Sequence, residues 1–354
     1  MTKPVLLPAG RELASWLFRG GRPDRASRFI QWLYCWRAFW LEFSYSKLRG
    51  KGPTTAVFPY QEGEGLVFIQ GFWRAGTTLL HELLAEIPRC AAPRTWQCMD
   101  PSAMLAPFIR HREDQAMQRP MDQVMISAFS PQEDEFALMA MGIPSVYRGF
   151  LDPRRLPELV CLTEPEYWLD ATSQWWKTLE AFLVWCQEPG RDRIIVKNPC
   201  HLFRAYGLAA HFPKARSVWI LRDPADLWRS NLKMWRAMIE RYSLWIVQNR
   251  ELEYFLEAAL KGYAKLLEDL HCKGCFRHQP VCSYDALTND PAAILPALVD
   301  RLGLGQWSDL DVSMQARLLS RPKSTSAQRE IPADAPESLL LRIREIHETI
   351  LSAF

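Results

Sequence analysis

The 354-residue sequence predicts an α/β fold, a parallel β-sheet covered on both faces by helices, and three observations carry that prediction. Apolar runs at residues 66–69, 194–196, 217–221 and 281–284 have the length and hydrophobicity of strands buried on both sides. A helical pattern follows each of them. Each run also ends in glycine or polar residues, at the sheet edge where ligands bind in such folds. With no internal repeat and no long low-complexity linker, residues 61–354 read as one domain with helical insertions. Residues 1–60 read as a basic, tryptophan-rich helical extension packed on it.

The first run leads into Gly71-Phe72-Trp73-Arg74-Ala75-Gly76-Thr77-Thr78, then Leu79, Leu80, Leu83 and Leu84 at helical spacing. Strand, glycine turn and helix start form the layout of a phosphate-binding loop, in which the first N–H groups of the helix point at an anion. The spacing Gly71-x4-Gly76-x-Thr78 follows the Walker A pattern, but Thr77 stands where a kinase carries its lysine. The nearest cation is Arg74. The loop therefore suits a phosphate-like group better than ordinary ATP chemistry.

Further along, Ser130, Pro131 and Glu133 spell a capping box, with Ser130 as cap and Pro131 at the first helical position. That accounts for Glu133 and leaves Glu135, on a half-buried face, in need of a partner or a task. The run at 194–196 ends in Lys197-Asn198-Pro199-Cys200-His201. The run at 217–221 ends in Arg222-Asp223-Pro224, with Ser230 on the following helix. A guanidinium at a strand end with a hydroxyl from the next helix can grip a phosphate from two sides.

Together these segments resemble the sulfotransferases that use 3′-phosphoadenosine 5′-phosphosulfate (PAPS). The loop GFWRAGTT resembles their 5′-phosphosulfate loop, with Arg74, Ala75, Gly76, Thr77 and Thr78 as its donor-binding residues. Arg222 and Ser230 stand at the family's spacing for the 3′-phosphate. Tyr284 matches a strand-end tyrosine near the adenine, and Lys323 lies in a basic loop (321–326) at the chain position of another 3′-phosphate contact. The resemblance touches most of residues 66–326. It implies a P-loop NTPase-like sulfotransferase fold and transfer of a sulfuryl group from PAPS to a hydroxyl, with no metal required.

The strand end with Lys197 and His201 resembles that of bacterial members. Cations must meet the charge that builds on the leaving phosphate, and a base must take the acceptor's proton. Arg74 and Lys197 suit the first task. His201 is the leading base, with Glu133 or Glu135 orienting it or serving instead. His81, along the first helix, reads as structural. Ala75 departs from the serine common in this loop, and cytosolic eukaryotic members carry lysine where Arg74 stands.

Composition bounds the remainder. A net charge of +3 does not point to nucleic acid. Residues 1–51, however, hold ten Lys/Arg against three Asp/Glu. Trp32, Trp36, Phe39, Trp40 and Phe43 give the stretch 27–48 a broad apolar face, too interrupted by Arg37 and Glu42 to span a bilayer. Packing against the domain is the favoured expectation, and peripheral contact with anionic lipid the alternative. Nine cysteines without a secretory signal read as reduced thiols in a cytoplasm. Cys272, Cys275, His278 and Cys282 have a spacing that zinc could use, although free thiols in a loop fit better. The tryptophan-rich helices point to an apolar acceptor such as a lipid, terpenoid or polyketide alcohol. The competing functional readings are a small-molecule P-loop kinase and a non-catalytic membrane-surface protein with a degenerate loop.

Overall fold

The computed structural model describes residues 61–99, 101, 116–119, 121–122, 124–169, 173–246, 248–320, 331–333 and 335–353, together with Trp32 and Trp36. In chain order the strands are β1 (Leu66–Gln70), β2 (Cys90–Ala91), β3 (Met117–Gln118), β4 (Met125–Ile126), β5 (Arg193–Lys197), β6 (Arg216–Leu221) and β7 (Val281–Ser283). Five of them form one sheet in the order β2-β5-β1-β6-β7, every pairing parallel. β1 is central and buried along its whole length, which is why it reads as an uninterrupted apolar run. Phe68 sits opposite Val196 of β5 on one side and Ser217 of β6 on the other. The C-terminal ends of β5, β1 and β6 therefore emerge side by side, bringing Lys197, the glycine loop and Arg222 to one edge.

All four expected strands are present. β2 and the antiparallel β3–β4 hairpin escape sequence reading because two residues are too short to show a period. The helix expected from Ser130 begins later, at Asp134, with Glu133 as its cap. Residues 130–132 are held extended instead. Pro131 bridges Arg94, Gln132 N–H donates to the Pro93 carbonyl, and Ser130 Oγ accepts from Ser127 N–H. Tertiary pairing thus overrides the capping box and leaves the Glu133 carboxylate available. The helical stretch after β6 is two helices, Pro224–Tyr242 and Asn249–Cys272, interrupted where the Ser243 hydroxyl bonds the Leu151 and Trp245 carbonyls.

The core is rich in aromatic rings. Trp73, Trp235 and Phe255 stack edge-on or tilted, with centroids 4.8–6.2 Å apart. Trp175 and Trp176 of the helix Ser173–Trp185 are buried as well, so much of the unusual tryptophan content is interior. Trp32 and Trp36 are helical and about half exposed; the rest of the extension lies outside the described residues. No helix among the described residues is long and apolar enough to cross a membrane. Nor do His, Cys, Asp or Glu side chains gather into a metal-holding group there, and Cys272, Cys275 and Cys282 are free thiols, the last buried in β7.

Charge is also buried. The helix Asp134–Ala140 opens with three acids in a row, Glu133 capping it, and each meets a basic side chain from the end of β5 or the turn after it. Glu133 pairs with Lys197 at 2.7 Å, Asp134 with His201 at 2.8 Å and Glu135 with Arg204 at 2.7 Å. Arg204 grips both oxygens of Glu135 and lies over the rings of Trp168 and Trp175. Burial alone would push the Glu135 carboxyl up. Arg204, Asn198 and Ser145 more than reverse this and hold it below the usual carboxylate range.

Removing one partner of such a pair strands the other charge in the interior. Glu135→Ala is therefore expected to lose about 3–5 kcal/mol in denaturant unfolding. Because the folded pKa of Glu135 is depressed, its contribution is complete above the unfolded carboxylate value and is lost as pH falls through the folded one. Acid melting curves of wild type and Glu135→Gln should therefore converge at low pH.

Candidate active site

A cavity of about 540 Å³ opens at the C-terminal edge of the sheet, between the glycine loop, the β3–β4 hairpin and the helix Pro224–Tyr242. At its base the chain leaves β1 at Gly71, turns through Arg74 in left-handed backbone (φ 69°) and enters the helix Thr77–Ala85 through Gly76 (φ 103°). The space around Gly76 is closed: a Cβ there would lie 2.3 Å from Tyr284 Cδ2. Gly71 is similarly pressed, by Ile220 and Thr77. Glycine at both positions is what lets the loop fold back against β6 and the Tyr284 ring.

One side of the cavity is cationic. Arg74 Nε donates to Ser230 Oγ at 3.0 Å, and Arg222 Nη1 donates to the Arg74 carbonyl at 2.9 Å. The Arg222 guanidinium lies 4.5 Å above the Tyr284 ring, and its Nε has no hydrogen-bond partner among the described residues. Four residues expected to hold a nucleotide, Arg74, Arg222, Ser230 and Tyr284, are thus one connected group. Thr77 and Thr78 begin the helix beside them, and Ala75 is buried beneath the loop. Lys323 lies outside the described residues.

The opposite side holds a short polar chain. Lys197, only 1 % exposed, donates to Glu133 Oε1 at 2.7 Å and to Thr78 Oγ1 at 3.4 Å. Glu133 Oε2 accepts from Tyr147 O–H at 2.6 Å, and Tyr147 accepts from Trp73 Nε1 at 3.1 Å. Burial pushes the Lys197 ammonium below its ordinary pKa, and Glu133 opposes that shift. Burial, with Glu133 next, raises the Tyr147 phenol, so it acts as a donor. Glu133 and Tyr147 both line the cavity, as do Phe136, Phe150, Met234 and Met238.

Of the expected catalytic residues, Lys197 reaches the cavity only through Glu133 and Thr78, and His201 and Glu135 are not brought to it. His201 is fully buried: its Nε2 donates to Asp134, its Nδ1 faces Arg204 at 3.3 Å, and Phe68 and Trp175 pack edge-on against the ring. With both nitrogens engaged, neither is free to take a proton from a cavity ligand. Glu135 is equally buried, on Arg204 and Asn198. His81 is interior too, bonded to the Ile195 carbonyl and lowered to about 3, chiefly by burial. Sequence reasoning missed Tyr147, Asp134 and Arg204. No short period gave them away: Lys197 ends β5, while His201 and Arg204 lie on the 3-10 turn after it.

The model of the Sulfotransferase family matches residues 67–309. Over 251 residues the chain is 32 % identical to the omega-hydroxy-beta-dihydromenaquinone-9 sulfotransferase Stf3 of Mycobacterium bovis. That match covers 68 % of this chain and 63 % of the relative, so it spans less than two thirds of the relative's length. Among solved structures, sulfotransferase STF9 from Mycobacterium avium aligns with a TM-score of 0.62 at 17 % identity, covering 97 % of both chains. STF1 from Mycobacterium tuberculosis H37Rv aligns at 0.56 and 18 %, covering 87 % of this chain and 85 % of its own. Those structures share the fold.

The packing of the loop makes Gly76 irreplaceable for two separable reasons. Gly76→Ala forces an L-residue into left-handed backbone, at about 1–3 kcal/mol, and also strikes Tyr284. Thermal melts should therefore show Gly76→Ala/Tyr284→Ala less stable than Tyr284→Ala alone, since removing the ring relieves the clash and not the strain.

Proposed function

The chain belongs to the sulfotransferase family, and from that premise we propose that it transfers a sulfuryl group from PAPS to the hydroxyl of an apolar acceptor. The observation that carries the reading is the meeting of two unlike groups at one cavity: Arg74, Arg222 and Tyr284, with Ser230 bonded behind Arg74, and Glu133, with Lys197 bonded behind it. Arg222 and Ser230 suit a 3′-phosphate, Tyr284 a purine face, and the N–H groups at Gly76–Thr78 a 5′-phosphosulfate.

The donor supplies an activated sulfur. The acceptor oxygen forms the new S–O bond, the bond to the 5′-phosphate oxygen breaks with its electron pair, and the acceptor's proton must leave. We assign that proton to Glu133, which lines the cavity where His201 does not. Tyr147 and Lys197 fix the Glu133 carboxylate from either side and keep it from rotating. As the proton arrives, the hold of Glu133 on Lys197 weakens, and the ammonium is released toward charge developing on the leaving phosphate.

For the acceptor, the flexible side chains of Met234 and Met238 and the rings of Phe136 and Phe150 offer an adaptable apolar wall. The relative from Mycobacterium bovis carries a hydroxylated menaquinone in its name, and a long isoprenoid or acyl alcohol suits this wall equally.

Calorimetric titration with 3′-phosphoadenosine 5′-phosphate, with ATP alongside, tests the donor. Micromolar or tighter binding is expected, weaker for ATP, and reduced by about 10- to 100-fold in Arg222→Ala, the loss typical of a charged hydrogen bond. A preference for ATP would sink the assignment.

Glu133→Gln is expected to keep nucleotide affinity and lower turnover by about 10²–10⁴-fold, the usual share of a general base. His201→Gln, judged on the fraction that remains folded, should leave turnover per folded molecule within a few-fold. The reverse ranking in a single-turnover assay would return the base to His201.

A further inference from the structure

The β3–β4 hairpin overhangs the glycine loop, and Asp122 in its turn stands between two arginines. Asp122 Oδ2 accepts from Arg74 Nη1 at 2.9 Å and from Arg119 Nη2 at 2.6 Å. Its Oδ1 accepts from Arg119 Nε at 3.0 Å and from Val124 N–H at 3.1 Å. All three side chains line the cavity. Burial would raise the Asp122 carboxyl, but Arg119 and then Arg74 hold it below the usual range, so it is an anion at neutral pH.

Two features set this cluster apart from an ordinary surface ion pair. Arg119 grips the carboxylate with the two-pronged fork by which guanidinium groups also hold phosphate and sulfate. Arg74, moreover, belongs to the loop itself: its Nε is on Ser230 and its carbonyl on Arg222, so the group that meets Asp122 is fixed within the cationic wall. An anion already occupies the space between two cations beside a loop built to receive one.

We propose that Arg119 is a further donor-binding residue, and that Asp122 is an internal anion which the donor's 5′-phosphosulfate displaces from between Arg74 and Arg119. The inference rests on the PAPS reading above. Displacement leaves the hairpin attached through Arg119 to the donor rather than to its own turn, so the roof of the cavity becomes a clamp on the bound nucleotide. A purely orienting role for Asp122, holding Arg74 ready for the donor, predicts the opposite sign on its removal.

The test is calorimetry of the full chain with 3′-phosphoadenosine 5′-phosphate, whose 5′-phosphate takes the place of the phosphosulfate. Wild type, Asp122→Asn, Arg119→Ala and the double variant are compared, with thermal melts confirming that each is folded. Asp122→Asn should bind about tenfold tighter, and Arg119→Ala in the Asp122→Asn background should bind about tenfold weaker than Asp122→Asn alone. Asp122→Ala repeats the first comparison should the asparagine variant not fold. Binding that is unchanged or weaker without the Asp122 charge overturns the proposal. So does indifference to Arg119 once Asp122 is neutral, because Arg119 would then serve only its neighbour. Wild type that binds no nucleotide sinks the donor reading itself, and this proposal with it.

Discussion

Two ion pairs, Glu133–Lys197 and Glu135–Arg204, with the Asp134–His201 hydrogen bond between them, join the acidic start of the helix Asp134–Ala140 to the end of β5 and the turn after it, and the arrangement of the cavity depends on them. The charges of Lys197, Glu135 and Arg204 are removed from water, so none of them is tolerable without its partner. The series is graded. Glu135–Arg204 and Asp134–His201 are sealed in the interior, while Glu133–Lys197 stands at the cavity wall with its carboxylate partly open. The two inner pairs fix the position of the third. A carboxylate lining the cavity can therefore hold a buried ammonium behind it without collapsing into a more comfortable geometry.

The sheet supplies the other half of the arrangement. Because β5, β1 and β6 are neighbours, their ends are about 4.8 Å apart in sequence of pairing. That spacing sets how far Lys197 stands from the glycine loop, and the loop from Arg222. Lys197, the last residue of β5, and Arg222, the first after β6, take their positions from the sheet itself. The hairpin, by contrast, hangs from two strands of two residues each.

The fold and the cationic wall were legible in the sequence because they are local. Buried parallel strands appear as apolar runs, and Arg74, Arg222 and Ser230 sit at fixed distances from strand ends. The acidic side of the cavity was not legible to the same degree. Glu133 and Lys197 are 64 positions apart and pair only once the chain has folded. His201 has the right chemical character and the right chain position, yet one more turn carries it under the sheet's edge into the core, onto Asp134. Ser130 misled for a related reason: its capping box is sound locally and yields to a longer-range bridge between Arg94 and Pro131.

The helix Pro224–Tyr242 carries Ser230, Met234 and Met238 at successive four-residue steps, one face spaced about 6 Å per step. Ser230 answers Arg74, while the two methionines border the apolar wall. The same rigid rod thus touches both halves of the cavity, and no rotation of it alters one half alone. A lineage reshaping this cavity is constrained to change side-chain volume along this face and not the helix's pose, through exchanges among methionine, leucine and smaller residues with the backbone of the helix held constant.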